Sequence, residues 1–505
     1  MKCVIGCDVG TQGLKVLLWG EEGSILGVET EEFPVLYPRP AWAEQEAGHW
    51  WEAMTRAVPR LCARAGVKAK NVVAIGVDGT VDGFLPVGAR GEPLAPYILW
   101  MDRRAVRECE KIEAQFGAEE LFRLTGLNVD ASHTAAKILW TRAHLPEVYG
   151  KAWKLMPSTS YVVYLLTGKV VVDYSNASST MLFDVVRRRW APQLLEGLGI
   201  DRALLPEVRP ATDVVGHLTV EAARALGLCP ETLVVVGCGD EHASCVGAGV
   251  MEPGVVADII GTAEPVCVSA LGPAFDPSRL VETHCHAHPE RWLLENPGFV
   301  SGGNYRWFRD HFYEGPNTSY EVLNGEAEAV PPGSEGLIFL PCMMGAMAPE
   351  WNNNARGVFY GLTLAHGRGH LTRAILEGAA YALRSIVESM QQAGCETKEI
   401  RAVGGGARSH LFRQIRADVT GIPVVTVSTV ETTALGAAFL AAVGAGLGKD
   451  LQEVAGRTVR VVDVVEPNPA SHAIYDWGYQ AFLHVYDSLR ECFEICAEQL
   501  FSQET

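Results

Sequence analysis

The chain has 505 residues, with 42 Lys and Arg against 60 Asp and Glu, and a formal net charge of −18. That acid excess excludes a phosphate-backbone binder, whose affinity rests on clustered Lys and Arg. The 12 Trp, 16 Phe and 14 Tyr exclude a disordered chain. At roughly 100–200 residues per domain, the length allows two to four domains.

The opening Met1-Lys2-Cys3-Val4-Ile5-Gly6 carries one charge and an apolar stretch broken at Asp8, too short for a signal-peptide core. Residues 4–9 predict a strand, Gly10-Thr11-Gln12-Gly13 a turn, and 14–19 a second strand ending in another turn. Apolar periodicity predicts helices over 48–62 and 104–116, and 72–77 reads as a buried strand ending in Asp78-Gly79. Near the middle, the run 233–240 again ends in an Asp beside glycines and predicts the start of a second unit, with 254–261 resuming strand character. Two such strands half a chain apart hint at two like-built lobes. Further on come a strand at 400–403, a glycine turn at 404–409 and a helix at 410–420. The stretch 434–448 is Ala/Gly-rich and shorter than the roughly 18–20 residues of a spanning helix, so no membrane partner is expected. Tyr475, Tyr479, Phe482, Tyr486, Leu489 and Phe493 fall at helical spacing, a core-packing stripe. Thirteen Cys with no repeated Cys-x-x-Cys spacing favour a reducing compartment, and the cytoplasm is the expected location. Interleaved strands and helices argue an α/β fold.

The P-loop, the dinucleotide-binding Gly-x-Gly-x-x-Gly after a strand and the His-Glu-x-x-His zinc motif are all missing. Three glycine-and-hydroxyl turns remain. Asp8-Val9-Gly10-Thr11-Gln12-Gly13 offers backbone N–H groups to an anion, with Lys15 close by. Gly261-Thr262-Ala263 ends a strand in a similar way, and Gly404-Gly405-Gly406 precedes a helix. Each alone reads as a tight turn. Together with the strand-terminal acids they point to a nucleotide cleft.

The chain resembles the FGGY family of carbohydrate kinases, within the superfamily of sugar kinases, actin and heat-shock chaperone ATPases. The resemblance rests on Gly357-Val358-Phe359-Tyr360-Gly361-Leu362 followed after seven residues by His370-Leu371-Thr372-Arg373-Ala374-Ile375-Leu376-Glu377. It also rests on Ser132-His133-Thr134-Ala135-Ala136-Lys137-Ile138-Leu139-Trp140, although Thr141 and Ala143 depart from that motif's tail. Glu44-Gln45, Trp50-Trp51, Trp100-Met101-Asp102-Arg103-Arg104, the 404–409 turn and Leu435-Gly436-Ala437-Ala438 are further landmarks, and the xylulokinase-like branch is the most similar.

The resemblance implies two ribonuclease H-like (actin-like ATPase) lobes around a deep cleft, a first lobe over 1–247 and a second over 248–505, with the 471–505 helix near the lobe junction. It implies ATP and Mg²⁺ as cofactors, Asp240 as the catalytic base, and Asp8 with Asp240 at the metal. Gly10, Thr11 and Gln12 match the first phosphate loop, Gly261 and Thr262 the second, and Gly405, Gly406 and Ala407 the adenosine turn. Val81, Asp82, Asp102, Asp240 and Glu241 match substrate-binding positions. A homodimer is among the assemblies that kinases of this size adopt.

Departures fall on the substrate side. Gly79-Thr80-Val81-Asp82-Gly83 stands where the xylulokinase-like branch has Gly-Gln-Met-His-Gly, and Glu241 stands where Asn or Gln is common. An ionised Asp82 accepts hydrogen bonds but cannot donate. With Asp78 and Asp102, the expected pocket is rich in acids and suits a neutral polyol-like substrate, with Arg103 or Arg104 needed before an acid sugar could enter. Glu264 replaces a glycine beside the second phosphate turn and is expected to point away from it. His284-Cys285-His286-Ala287-His288 puts three imidazoles at strand spacing, which zinc also uses; with no carboxylate partner obvious nearby, a structural or substrate-proximal role is the reading. The leading expectation is a kinase of a ketopentose such as D-xylulose, with ribulose, a tetrose or a polyol as alternatives. A nucleotide-sensing binding protein on the same fold, with little transferase activity, is the reading from another class.

Overall fold

A computed structural model describes residues 1–429 and 431–501. The first sheet grows from the N-terminal hairpin, β1 (Cys3–Val9) with β2 (Gly13–Gly20), and β3 (Ile25–Glu32) extends the meander. Helix α1 (Gly48–Arg64) then leads to β4 (Val72–Gly79), which pairs parallel with β1. A largely helical insertion follows, including α2 (Thr134–His144) and α3 (Tyr174–Ser178), around a core with Phe84, Trp140, Phe183 and Trp190. The chain returns through β5 (Val214–His217), β6 (Leu233–Val235) and the short β7 (Cys238–Gly239), then enters helix α4 (Asp240–Gly247). The sheet order is β5-β6-β4-β1-β2-β3, with β7 also on β4.

The second sheet starts afresh at β8 (Gly254–Ile259), with β9 (Ala263–Ala270), β10 (Glu282–Cys285) and β11 (Trp292–Val300). Helices α5 (Gly302–Phe312) and α6 (Arg368–Gln392) precede β12 (Thr397–Val403), α7 (His410–Thr420) and β13 (Val424–Val427). Then come α8 (Thr432–Gly444), α9 (Leu451–Gly456), β14 (Val461–Val465) and α10 (Pro469–Phe501). The order β10-β11-β9-β8-β12-β13-β14 repeats the first sheet strand for strand. In each sheet an antiparallel three-strand meander is extended by two parallel strands and one antiparallel strand, and β10 is an addition at one edge. The chain is therefore mixed α/β, with two lobes of the same construction.

The apolar run of β1 is buried because both faces are covered. Cys3, Ile5, Cys7 and Val9 pack with Trp50, Met54 and Leu61 of α1, whose buried positions recur every three or four residues. Val4 on the other face packs with Ala434 and Ala438 of α8. That helix lies so close that a Cβ on Gly6 would stand 1.9 Å from the Ala434 carbonyl oxygen, and one on Gly76 2.0 Å from that of Ala437.

Three expectations change here. The 233–240 run does not open the second unit: β6 and β7 pair with β4 and complete the first sheet. The expected second lobe is not continuous over 248–505, because α8 and α9 pack on the first sheet and the Trp19 indole donates to Thr458. The 471–505 helix does not sit at the lobe junction; α10 packs on α6, α7 and the 338–340 strand, with Tyr475, Tyr479, Phe482, Tyr486 and Phe493 in the second-lobe core. Residues 502–505 of that expected helix lie outside the described residues. Among the described residues, no helix is long and apolar enough to cross a membrane.

Candidate active site

The C-terminal ends of the parallel strands bring three carboxyls together. Asp8 and Asp78 are register partners across β1 and β4, and Cys238 of β7 flanks Asp78 on its other side. Two residues on, Asp240 occupies the first turn of α4. Asp78 is fully buried and neither of its carboxyl oxygens has a hydrogen-bond partner. Burial, then the charges of Asp8 and Asp240, push the Asp78 carboxyl well above the usual carboxylate range. Asp8 is pushed up to about 6 by burial, with Lys15 opposing, and Asp240 well above its ordinary value by burial and then by Glu241 and Asp8. Lys15 lies 2.5 Å from Glu431. An uncompensated cluster of oxygen donors suits a hard divalent cation, which would restore the ionised forms.

The glycine turns border this cluster. In the first, Gly10 N–H donates to the Gly13 carbonyl at 2.9 Å, and Thr11 is held by the Gln45 amide on its carbonyl and by the Trp100 indole on its hydroxyl at 3.2 Å. Gln12 is exposed. In the second lobe the equivalent hairpin turn closes with Gly261 N–H donating to the Ala263 carbonyl at 3.0 Å, which leaves Gly261 and Thr262 exposed. Arg306 of α5 reaches the Thr262 hydroxyl at 3.3 Å. The Gly405, Gly406 and Ala407 turn follows β12, the parallel neighbour of β8; Gly406 N–H donates to the Ile260 carbonyl at 3.2 Å, which joins it to the Gly261 turn. Glu264 points away from that turn, into the core, where it and Asp258 pair with the fully buried Arg416 at 2.5 and 2.8 Å.

On the proposed sugar side the expected arrangement is only partly present. Val81 packs against Gly239, the residue before Asp240. Asp82 is not a free acceptor: its Oδ1 lies 3.1 Å from His133 Nδ1, an imidazole that Asp82 and Glu282 hold well above its ordinary pKa against the opposing effect of burial. Asp102 does not belong to the pocket. It is fully buried, and its two oxygens accept from Ala43 N–H, Arg104 N–H and the Arg104 guanidinium. Arg104 stacks on Trp42 at 3.7 Å and Arg103 pairs with Asp130, so neither arginine is available to an acid sugar. Lys137 joins three loops by donating to the carbonyls of Asp82, Leu99 and Ser132.

Glu241, beside Asp240, is half-buried, and Glu282 and Glu295 lie 3.7 and 3.9 Å from His284 Nε2, so carboxylates do lie next to the histidine run. The three histidines do not share a strand face, because β10 ends at Cys285. Asp78 was expected in the acid pocket and stands instead among the Asp8 and Asp240 carboxyls, whereas Trp100, Arg306 and the acids Glu282 and Glu295 were absent from the sequence-derived site. Trp100 opens a recognised landmark, and Gly302-Gly303 at the start of α5 marks the approach to Arg306, since a Cβ on Gly302 would meet the Gly261 carbonyl oxygen at 2.3 Å. Glu282 and Glu295 carry no local signal.

Residues 3–247 match the N-terminal domain of the FGGY family of carbohydrate kinases, and residues 257–445 match its C-terminal domain. The chain is 32% identical to the xylulose kinase of Escherichia coli (strain K12), over 96% of this chain and 99% of that one. This chain belongs to the FGGY family. It is also 34% identical to the glycerol kinase of Thermococcus kodakarensis, over 90% of each chain. The ligand-bound xylulose kinase from Lactobacillus acidophilus has the same fold, with a TM-score of 0.92 at 27% identity and coverage of 98% of this chain and 99% of that one.

As an FGGY kinase the protein is a phosphotransferase that uses ATP with Mg²⁺. Its residues fit both: an acid cluster with orphaned oxygens in the first lobe, and backbone turns at the strand ends of the second. When bound, the cation supplies charge neutralisation for the phosphates.

Proposed function

We propose that this kinase phosphorylates the terminal hydroxyl of a ketopentose, D-xylulose first among them, with Asp240 as general base. The observation that carries the reading is the place of Asp240 in the first turn of α4, directly after the β7 residues that pair with Asp78 and Gly79 and pack against Val81. A carboxylate there can take the proton of a hydroxyl on the sugar side as its oxygen attacks the γ-phosphorus and the bond from that phosphorus to the β-γ bridging oxygen breaks. Asp8 and Asp240 would hold Mg²⁺. Gly10, Thr11 and Gln12 would receive phosphate oxygens from one side, Gly261 and Thr262 from the other, and Gly405, Gly406 and Ala407 would carry the adenosine. Val81, the second oxygen of Asp82, and Glu241 would contact the sugar. Thirteen free cysteines suit a reducing cytoplasm.

The xylulose kinase of E. coli supports the ketopentose. A second reading, a smaller polyol, is supported by the T. kodakarensis glycerol kinase at similar identity. A panel of ketoses, aldoses, polyols and sugar acids in an ADP-release assay tests both. D-xylulose is expected to give the highest kcat/KM; a polyol ahead of every ketose overturns the first reading in favour of the second. Asp240→Asn is expected to lower sugar-dependent kcat by about 10²-fold or more with nucleotide binding retained, the scale of general-base catalysis. Turnover close to that of the unaltered enzyme would remove Asp240 as the base.

A further inference from the structure

Beside the substrate cleft, α4 faces the strands β10 and β11 across a buried group of imidazoles and carboxyls. Most of its polar atoms are already engaged. Glu282 accepts from Asn128 N–H at 2.7 Å and lies 3.5 Å from His133. Both nitrogens of His286 are used, one with the Val250 carbonyl and one accepting from His288 N–H. Those of His288 are shared with Glu290 N–H and Gln452. What is left over converges. His242 Nδ1 and His284 Nε2 are buried without a hydrogen bond, His284 Nε2 stands 3.7 Å from Glu282 and 3.9 Å from Glu295, and a ring nitrogen of each histidine and a carboxyl oxygen of Glu295 all lie within 4.8 Å of one another. His242 and His284 are 1% and 4% exposed, and Glu295 is 5% exposed.

We propose that His242, His284 and Glu295 form a binding site for a zinc-class divalent cation, separate from the Mg²⁺ that accompanies ATP. Two imidazole nitrogens and a carboxylate are a donor set that zinc takes, at about 2.0–2.2 Å from the ion. Donors on a tetrahedral ion then stand about 3.4 Å apart, so small side-chain rotations close the observed spacing. Ligating histidines commonly fix their second nitrogen by a hydrogen bond, and His284 Nδ1 lies 3.3 Å from the Ser179 hydroxyl, which leaves Nε2 for the metal. Three protein ligands leave the fourth position to water. The bound ion would tie α4, which carries Asp240, to the edge of the second sheet.

The test uses the full chain purified without a polyhistidine tag. After incubation with Zn²⁺ and gel filtration, elemental analysis is expected to find about one zinc per chain, and Co²⁺ loading to give the strong visible bands of a tetrahedral site. His284→Gln and Glu295→Gln are expected to lower zinc retention by about tenfold or more, since loss of a mere outer-shell partner already costs about 10–100-fold. His286→Gln, which removes no ligand, is expected to retain it. No stoichiometric zinc in the unaltered protein, or equal retention in both ligand variants, overturns the proposal. If those variants do not fold, X-ray absorption on the zinc-loaded unaltered protein decides. Two imidazoles in the coordination shell support the site; none overturns it.

Discussion

Lys137 is fully buried, and its ammonium donates to carbonyls from the Val81–Asp82 turn, from Leu99 and from Ser132. Burial pulls its pKa down to about 8 against the pull of Asp82 and Asp102. The lysine of the Ser132–Trp140 motif is thus a brace between loops, and it holds the Val81–Asp82 turn without presenting a charge to solvent. Lys137→Met leaves buried carbonyls unpaired and is expected to destabilise the fold by about 3 kcal/mol, read as a lower urea midpoint with an unchanged m-value. At this scale the sequence was legible where chemistry is local: Asp8 and Asp240 stand at strand ends among glycines. Asp102 misled because nothing in the order of residues shows that the Arg104 side chain folds back on it. The pairing of His133 with Glu282 was illegible because it joins positions 149 residues apart.

Between the two sheets, α4 crosses α8 at a distance set by small residues. A Cβ on Gly436 would stand 1.9 Å from the Ala243 carbonyl oxygen, and one on Gly247 1.8 Å from that of Thr432. Those partners are backbone, which cannot swing aside. Helix α4 meets the first sheet's core through Ala243 and Val246 and, with the Ala248 that follows it, the second sheet's core through Cys245, so this crossing joins the two lobes. Gly436→Val is expected to cost about 3 kcal/mol or more of stability, and in whatever folds, small-angle scattering should show lobes that no longer close on sugar and nucleotide. The Leu435–Ala438 landmark was recognisable as a motif, yet its reason lies in two helices some two hundred positions apart in the chain.

Both lobes carry one strand plan, but they differ in charge where the strands end. Aligning the Gly10-Thr11 and Gly261-Thr262 turns puts Ile259 at the place of Asp8, and the sheet registers then put Val403 at the place of Asp78. The acids are confined to the lobe that would handle the hydroxyl and the cation, and the lobe that would carry the nucleotide is apolar at the same positions. Ile259→Asp is expected to raise KM for ATP by about tenfold through like-charge repulsion (on the order of 1.4 kcal/mol), with KM for the sugar little changed. The repeated strand plan was only faintly legible, since the visible repeat, an Asp after a strand, pointed to 233–240 and missed the true start at Gly254. The shared plan is one of pairing geometry, which fixes no residue at most positions.

The return of residues 432–458 to the first lobe also sets an order of events during synthesis. When the ribosome has finished α4, the face of β1 and β4 that α8 will cover, with Gly6 and Gly76 in its floor, is still bare. At 5–20 residues per second, about 10–40 s pass before Thr432 emerges. Through that interval the nascent first lobe holds an open apolar groove, and its folding ends only after most of the second lobe, short of β14 and α10, has been made.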